Sequence, residues 1–265
     1  MAVLQDITLG QYYPSNSLVH RLDPRVKLVA SVVLMSGLLL TDSLPLTVAW
    51  GMLAVALVVA ARLPAGLVLR NLRAFVWLFL LTMVVHSFFT GGTPLVRLPV
   101  LGWKLTWEGV EKGLLYSFRL GLLVVMAALL TLTTSPIELT DGLERLLRPL
   151  RRLGVPVHEL AMMMSLALRF VPTLLEEADR LQKAQVSRGA SFEGSLVQRA
   201  RSVVPLVVPL FVSAFRRADE LALAMDARCY RGGEGRTCYH LLRLKPVDYL
   251  ALVLSGGLLA LAMCL

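Results

Sequence analysis

The chain has 265 residues, of which 56% are hydrophobic and 17% are charged, with a mean hydropathy of +0.68 and a net charge of +9. Average soluble domains carry about a quarter charged residues, so this composition favours a membrane protein. Membrane proteins collect Lys and Arg in their cytoplasmic loops, which accounts for the positive charge. No basic patch interleaved with aromatic residues indicates nucleic-acid binding. The composition predicts an integral membrane protein, and the lengths of its apolar runs predict that it is all-α.

Residues that could carry chemistry show no pattern typical of a site. The three cysteines and four histidines have neither the spacing of a disulfide framework nor that of a metal-ligand set. No Gly-rich phosphate loop ending in Gly-Lys-Ser or Gly-Lys-Thr is present, so we expect this chain to bind no ATP and no other cofactor. No nucleophile stands beside a base. The sequence therefore indicates a non-catalytic protein.

Five apolar runs follow a polar lead of 27 residues, in which no cleavable signal peptide is visible. A helix needs about 20 residues to cross the hydrocarbon core, and we predict about five transmembrane helices. The first two runs are separated by the polar turn Thr41-Asp42-Ser43. The runs are 28–40, 44–61, 74–90, 113–132 and 247–265.

Lys and Arg predict the orientation of the chain. Residues 133–246 contain 17 of them, and the 62–73 loop has three arginines and no acid. The positive-inside rule therefore places the N-terminus and residues 133–246 in the cytoplasm. We expect three regions: residues 1–132 with transmembrane helices 1–4, a coupling region at 133–246, and a transmembrane helix at 247–265. Within the coupling region, the short apolar stretches 160–172 and 203–214 are typical of buried or interfacial helices.

Two stretches of the coupling region, 176–189 and 216–229, align without a gap at an offset of 40 residues. Five of the fourteen aligned positions are identical, and four of these are spaced three or four residues apart, on one face of a helix. Each copy therefore predicts a helix with a small apolar face that ends in an arginine. The identical pairs are Ala178 and Ala218, Asp179 and Asp219, Leu181 and Leu221, Ala184 and Ala224, and Arg188 and Arg228.

Glycines predict that both helices end just after these arginines, at Gly189 and near Gly232. An arginine at a helix C-terminus is stabilised by about 0.3–1 kcal/mol through the macrodipole alone. Repetition of the whole stripe favours a second interpretation, in which a partner approaches the small residues and the guanidinium pairs with a carboxylate. Two equivalent elements predict a partner that presents its groove twice, such as a dimer. A chance match between amphipathic helices is the alternative.

Four stretches resemble a known family, namely 17–28 with its Leu-Asp-Pro-Arg-Val-Lys run, 132–147, 167–174, and the two arginine-tipped ends with their flanks through residue 237. On these motifs the sequence resembles the transmembrane T component of energy-coupling factor (ECF) transporters, which import vitamins and micronutrients into bacteria. The resemblance implies a multi-pass protein of the bacterial cell membrane. It also implies two partners, a pair of ATP-binding cassette ATPases, which would bind the ATP, and a membrane-embedded, substrate-binding S component.

In this family two Ala-Arg-Gly signatures end the coupling helices, and each arginine docks in a groove of one ATPase. The resemblance maps the signatures onto Ser187-Arg188-Gly189 and Ala227-Arg228-Cys229. Ser187 replaces an alanine and Cys229 replaces a glycine. A left-handed backbone would be strained at Cys229, which weakens the expectation of a helix stop there.

The implied function is that of a coupling subunit, which transmits movement of the ATPase dimer to the S component. A T component dedicated to one system, such as cobalt, nickel or a single vitamin, is the alternative. A membrane enzyme and an ion channel have less support because no catalytic constellation and no polar path stand out. Arg119 and Arg169 lie in apolar stretches, where charge indicates function by default, although a place in the bundle interior or at the interface is the simpler interpretation.

Overall fold

The computed structural model describes residues 12–41, 43–97, 104–190, 195–232 and 244–264. Over these ranges the protein is predominantly α-helical, which confirms the predicted fold class. They form two compact units, a membrane unit of residues 12–142 and 244–264 and a coupling unit of residues 143–232 with the same gaps.

The elements follow one another as α1 (Pro24–Leu40), α2 (Leu44–Ala60), α3 (Ala65–Ala74), α4 (Val76–Phe89), β1 (Pro94–Arg97), β2 (Lys104–Thr106), α5 (Trp107–Thr133), α6 (Pro136–Leu147), a 3₁₀ helix (Arg148–Leu153), α7 (Val157–Ser187), α8 (Leu196–Ala227) and α9 (Pro246–Cys264). The two strands pair antiparallel.

All five apolar runs fall in helices. Among the described residues, α5 and α9 are long and apolar enough to cross a membrane, and α3 with α4 passes the same test as a pair bent by 53°. Helices α1 and α2 have 17 residues each, the lower limit for a crossing. The 62–73 segment, expected to be a loop, contains α3, because its apolar residues recur at helical spacing between the arginines.

The predicted turn between α1 and α2 is held by Thr41. Its buried hydroxyl donates to the Gly37 carbonyl at 2.9 Å and accepts from the Trp50 indole at 3.1 Å. A Cβ at Gly37 would lie only 3.0 Å from the Trp50 ring, so this glycine allows the ring to pack on α1. Trp50 belongs to the main apolar core of the membrane unit, which also includes Leu38 and Leu122.

Carboxylates and a lysine join the two ends of the membrane unit. The Asp248 side chain, only 1% exposed, accepts from the Asp23 amide at 2.9 Å and from the Lys245 amide at 2.7 Å. Asp23 in turn caps α1. The Lys27 ammonium is buried and donates to the His20 and Thr133 carbonyls at 2.9 and 3.0 Å. These bonds fix the first turn of α1 to the start of α9 and the end of α5.

In the coupling unit, α7 and α8 have 31 and 32 residues. Each helix contains both an apolar stretch and an arginine-tipped stripe. The apolar stretches were expected to form short helices, and the structure makes each of them part of one long helix. Pro172 lies inside α7, and Pro205 and Pro209 lie inside α8. Proline removes one hydrogen bond and bends a helix, but it does not end one whose flanking turns are stabilised by packing.

Candidate functional site: two arginine-capped helix ends

Helix α7 ends with Arg188 at the C-cap position. Beyond it, the Gly189 amide donates to the Val186 carbonyl at 2.9 Å, and the Ala190 amide donates to the Gln185 carbonyl at 3.0 Å. Gly189 has a φ of +86°. This pair of bonds around a left-handed residue is the Schellman motif, which satisfies the last carbonyls of the helix.

Helix α8 ends in the same way, with Arg228 at the C-cap position. The Cys229 amide donates to the Asp226 carbonyl at 2.9 Å, and the Tyr230 amide donates to the Met225 carbonyl at 3.1 Å. Every donor and acceptor lies 40 residues after its counterpart in α7. The offset found in the sequence is therefore repeated in the backbone hydrogen bonds.

Cys229 is the residue at which the sequence left the second stop unexplained. Its φ is +55°, so it takes the left-handed conformation of Gly189 in spite of its side chain. A left-handed conformation costs an L-residue about 1–2 kcal/mol. The backbone accepts this strain, and the two helix ends match each other closely.

All six residues of the two tips are exposed, namely Ser187, Arg188, Gly189, Ala227, Arg228 and Cys229. An exposed guanidinium at a C-cap is favoured by the negative end of the helix dipole and keeps its donors available. The two tips can therefore offer planar, bidentate donors to an acidic partner. The structure alone leaves their docking role a prediction.

The two helices contact each other through a salt bridge. The Arg217 Nη2 atom lies 2.9 Å from the Glu177 Oε2 atom. These residues occupy the same position in the two copies of the repeat, 40 residues apart. Each tip arginine lies eleven residues beyond this contact, about 16 Å along its helix. The tips thus extend equally far from a shared point.

The small-residue stripe is partly covered. Ala178, Leu181 and Leu221 are half-buried, whereas the remaining members, Ala184, Ala218 and Ala224, are exposed. The surface close to the tips is therefore open to a partner. Elsewhere on α7, Arg180 pairs with Glu176 and Lys183 pairs with Asp179, each four residues apart, as is typical of ion pairs along one helix.

Sequence reasoning missed the contact between Glu177 and Arg217. A partial signal was present, because three aligned pairs of the repeat carry opposite charges: Glu176 with Arg216, Glu177 with Arg217, and Arg180 with Glu220. Like-for-like positions meet when two equivalent helices cross at a local two-fold axis. Opposite charge at aligned positions is compatible with such a meeting, but it does not single out Glu177 and Arg217.

The two arginines of the apolar stretches differ from each other. Arg119 is buried in the membrane unit, where its guanidinium lies 5.1 Å from the centre of the Tyr116 ring. Its Nη1 atom is 3.5 Å from the Leu39 carbonyl oxygen. This confirms that Arg119 faces the interior. Arg169 is exposed on α7.

Comparison with known proteins gives one consistent result. Residues 15–239 match the family described as cobalt transport protein (CbiQ). The chain is 53% identical to the energy-coupling factor transporter transmembrane protein EcfT of Acidaminococcus fermentans, over 94% of this chain and 92% of that protein. It is 52% identical to EcfT of Heliobacterium modesticaldum over 96% of each chain, and 44% identical to EcfT of Bacillus subtilis over 91% of each.

The family match covers most of the chain, including the paired ends of α7 and α8, and the relatives align over nearly their full lengths. The T-component resemblance drawn from the motifs is thereby confirmed. The chain belongs to the CbiQ family of transport proteins and, within it, groups with the transmembrane T components of energy-coupling factor transporters.

Proposed function

We propose that this T component couples an ATPase dimer to a substrate-binding S component, with Arg188 and Arg228 as the two ATPase-docking residues. The observation that carries the proposal is the equivalence of the two helix ends. Each has an exposed arginine at the C-cap, the same Schellman hydrogen bonds and the same distance along the helix from the Glu177–Arg217 contact. Two equal elements on one asymmetric chain fit a partner that offers one groove twice.

Each tip suits a groove lined by carboxylates. The guanidinium forms two parallel hydrogen bonds with a carboxylate, and the exposed alanines near it allow close approach of another backbone. Gly189 adds no side chain at the turn, and Cys229 adds a small one. Backbone hydrogen bonds close both helix ends, so the conformation of each tip does not depend on the partner.

Movement passes from the tips through rigid helices in this scheme. Closure of the ATPases on ATP would shift both grooves and pull the two tips. Because α7 and α8 contact each other at Glu177 and Arg217, this contact would serve as the common pivot. A shift does work only when it stabilises one orientation of the S component more than another.

The apolar halves of α7 and α8 supply the surface for the membrane side of this coupling. On α8 the exposed residues Val204, Val208, Phe211 and Phe215 recur at helical spacing along one face. We assign this face to the S component and the bilayer, consistent with a cytoplasmic coupling region that lies against the membrane. Partners of this kind require no ATP site in this chain.

A charge-reversal experiment tests the docking assignment. Arg188→Glu combined with Arg228→Glu places a carboxylate at each tip, so ATPase recovery with the tagged chain should fall at least tenfold while the chain stays in the membrane. Arg180→Glu with Arg216→Glu is the matched control, because it reverses two exposed charges away from the tips. Normal ATPase recovery with the tip variant would refute the assignment.

A T component dedicated to one system is the second candidate, favoured by the description of the matching family as a cobalt transport protein. The two candidates differ in their S components. Affinity purification of the tagged chain, followed by identification of the bound membrane proteins, distinguishes them. Several different S components would support the shared importer, and a single one would support the dedicated system.

A further inference from the structure

The connection between α6 and α7 places four arginines within eight residues. Arg145 lies in the last turn of α6, and the other three lie on the 3₁₀ helix that follows. Together they line one shallow depression in the surface of the coupling unit, along with Pro149. The four are Arg145, Arg148, Arg151 and Arg152.

The local structure keeps this arginine cluster together. A 3₁₀ helix has three residues per turn, so Arg148 and Arg151 lie above one another on the same side. Gly154, with a φ of +82°, ends this helix and donates its amide to the Arg151 carbonyl at 3.1 Å. The His158 Nδ1 atom lies 2.8 Å from the Glu144 Oε1 atom and ties the start of α7 to the end of α6. This contact holds the two ends of the α6–α7 connection together.

Exposed leucines lie among these charges. Leu153 is 81% exposed and Leu150 is 38% exposed. Exposing a leucine to water is unfavourable relative to burying it. A surface that alternates arginine with exposed leucine is typical of the bilayer interface, where the cation meets the phosphate and the apolar side chain enters the acyl boundary.

The position of the cluster in the chain agrees with this environment. Arg145 follows Thr133, the last residue of the apolar helix α5, by a dozen residues. Clusters of four to eight basic residues on the cytoplasmic side of a membrane-spanning helix or on an amphipathic helix are typical of sites that bind anionic lipids. Positive charge alone is expected in any cytoplasmic loop, but its concentration on one folded turn with exposed leucines is a more specific feature.

We infer that the arginine cluster binds the phosphate headgroups of anionic phospholipids, with Leu150 and Leu153 inserted at the acyl boundary. Guanidinium groups recognise a phosphodiester through paired hydrogen bonds. The bound lipid would hold the α6–α7 connection at the membrane surface. This inference depends on the chain being a membrane protein and is independent of the ATPase-docking proposal.

Native mass spectrometry of the purified full chain tests the inference, with phosphatidylglycerol and phosphatidylcholine as probes. We expect the wild-type chain to retain phosphatidylglycerol preferentially. The triple variant Arg148→Gln, Arg151→Gln and Arg152→Gln should bind it at least tenfold more weakly. The matched control, Arg180→Gln with Lys183→Gln and Arg216→Gln, removes the same charge elsewhere on the coupling unit and should keep the preference.

Several results would overturn the inference. These are an equal loss of preference in the cluster variant and its control, displacement of the lipid by millimolar inorganic phosphate, and loss of ATPase recovery in the cluster variant while its lipid preference stays intact. The second would identify a free phosphate as the ligand, and the third would identify a protein interface.

A footprint on the unmutated chain serves if the triple variant does not fold. In nanodiscs, phenylglyoxal modifies accessible arginines, and mass spectrometry locates each modification. Arg148, Arg151 and Arg152 should react several times more slowly in phosphatidylglycerol nanodiscs than in phosphatidylcholine nanodiscs, while Arg180 reacts equally in both. Equal reactivity of the cluster in the two lipids would contradict the inference.

Discussion

The Arg217 Nη2 atom lies 2.9 Å from the Glu177 Oε2 atom, and this salt bridge joins α7 to α8 at equivalent positions of the repeat. The side chains are 37% and 27% exposed, so water screens the pair only in part. Exposed pairs of this type contribute up to about 1 kcal/mol. The position of the pair matters more than its energy, because the contact lies the same number of residues from each tip arginine.

Reversal of one partner should therefore loosen the crossing, and reversal of both should restore it. We expect Glu177→Arg to lower the free energy of unfolding by about 1 kcal/mol and the combination with Arg217→Glu to recover most of it. Spin labels at Ala184→Cys and Ala224→Cys, with the native cysteines replaced by serine, should report a broader distance distribution in the single variant. Reversing Asp179 and Lys183, which pair within α7, is the control and should leave that distribution unchanged. If the distance distribution of the double variant were as broad as that of the single variant, the salt bridge would not be the pivot between the helices.

The two helix ends show which features could be predicted from the sequence and which could not. The 40-residue offset and the stop at Gly189 could be predicted, because they depend on side-chain spacing and on the freedom of glycine. The left-handed conformation of Cys229 could not be predicted. Its local conformational strain is outweighed by the two hydrogen bonds that close the helix. The contact between Glu177 and Arg217 could be predicted only in part, because two other aligned pairs of the repeat also carry opposite charges.

Continuity itself was hidden by prolines and charge. Pro172, Pro205 and Pro209 suggest boundaries in a sequence, yet packing carries α7 and α8 past them. In the membrane unit, α3 was missed because three arginines in a short segment between apolar runs are typical of a loop. The burial of Asp248 against Asp23, 225 residues away, is a tertiary contact with no local signal.

Replacing Cys229 by glycine should stabilise the chain. Glycine takes a positive φ without the cost of about 1–2 kcal/mol that a side chain incurs, and its greater freedom in the unfolded chain offsets part of that gain. The expected net gain in the free energy of unfolding is about 0.5–1 kcal/mol, measured by thermal unfolding in detergent.

The reciprocal change at α7 provides a comparison. A Cβ at Gly189 would meet no atom within 4 Å, so Gly189→Ala tests the backbone conformation alone, and it should destabilise by about 1 kcal/mol. Gly256 also has open space but lies inside α9, so Gly256→Ala should be neutral or mildly stabilising. A destabilising Cys229→Gly would show that the left-handed turn is not what the second tip requires.

Loss of the Asp248 charge should weaken the joint between α1 and α9. Asp248→Asn keeps the size of the side chain, but its amide group can present only one oxygen to the two backbone donors, which leaves one of them unpaired. We expect a loss of about 1–3 kcal/mol and faster proteolysis before Pro24. Val247→Ala, at an exposed neighbouring position, is the control. Equal protease resistance of Asp248→Asn and wild type would contradict the structural role of this carboxylate.

His20 makes the stability of the membrane unit depend on pH. Its Nδ1 atom lies 2.7 Å from the Ser17 hydroxyl, and its Nε2 atom lies 3.0 Å from the Tyr13 carbonyl oxygen, which accepts a hydrogen bond from the ring N–H. Burial is the main cause that lowers the pKa of His20, and the Lys27 ammonium lowers it further, whereas the hydrogen bond to the Tyr13 carbonyl and the Glu138 carboxylate oppose this.

Because the folded-state pKa lies below the usual value, the neutral ring is favoured in the folded state. Its contribution to stability is complete above about pH 6.5 and is lost as the pH falls through the folded-state pKa. The midpoint temperature of thermal unfolding should therefore fall more steeply from pH 7.5 to pH 5.5 for wild type than for His20→Gln, which has no titrating ring. Parallel curves for the two proteins would refute the assignment.

Single and double charge reversals at the tips test the central claim most directly. ATPase recovered per tagged chain is measured for Arg188→Glu, for Arg228→Glu and for the double variant, with equal amounts of each in the membrane. Equivalent docking sites predict similar partial losses for the two single variants and at least a tenfold loss for the double. Complete loss from one single variant with full recovery from the other would contradict two equivalent docking sites.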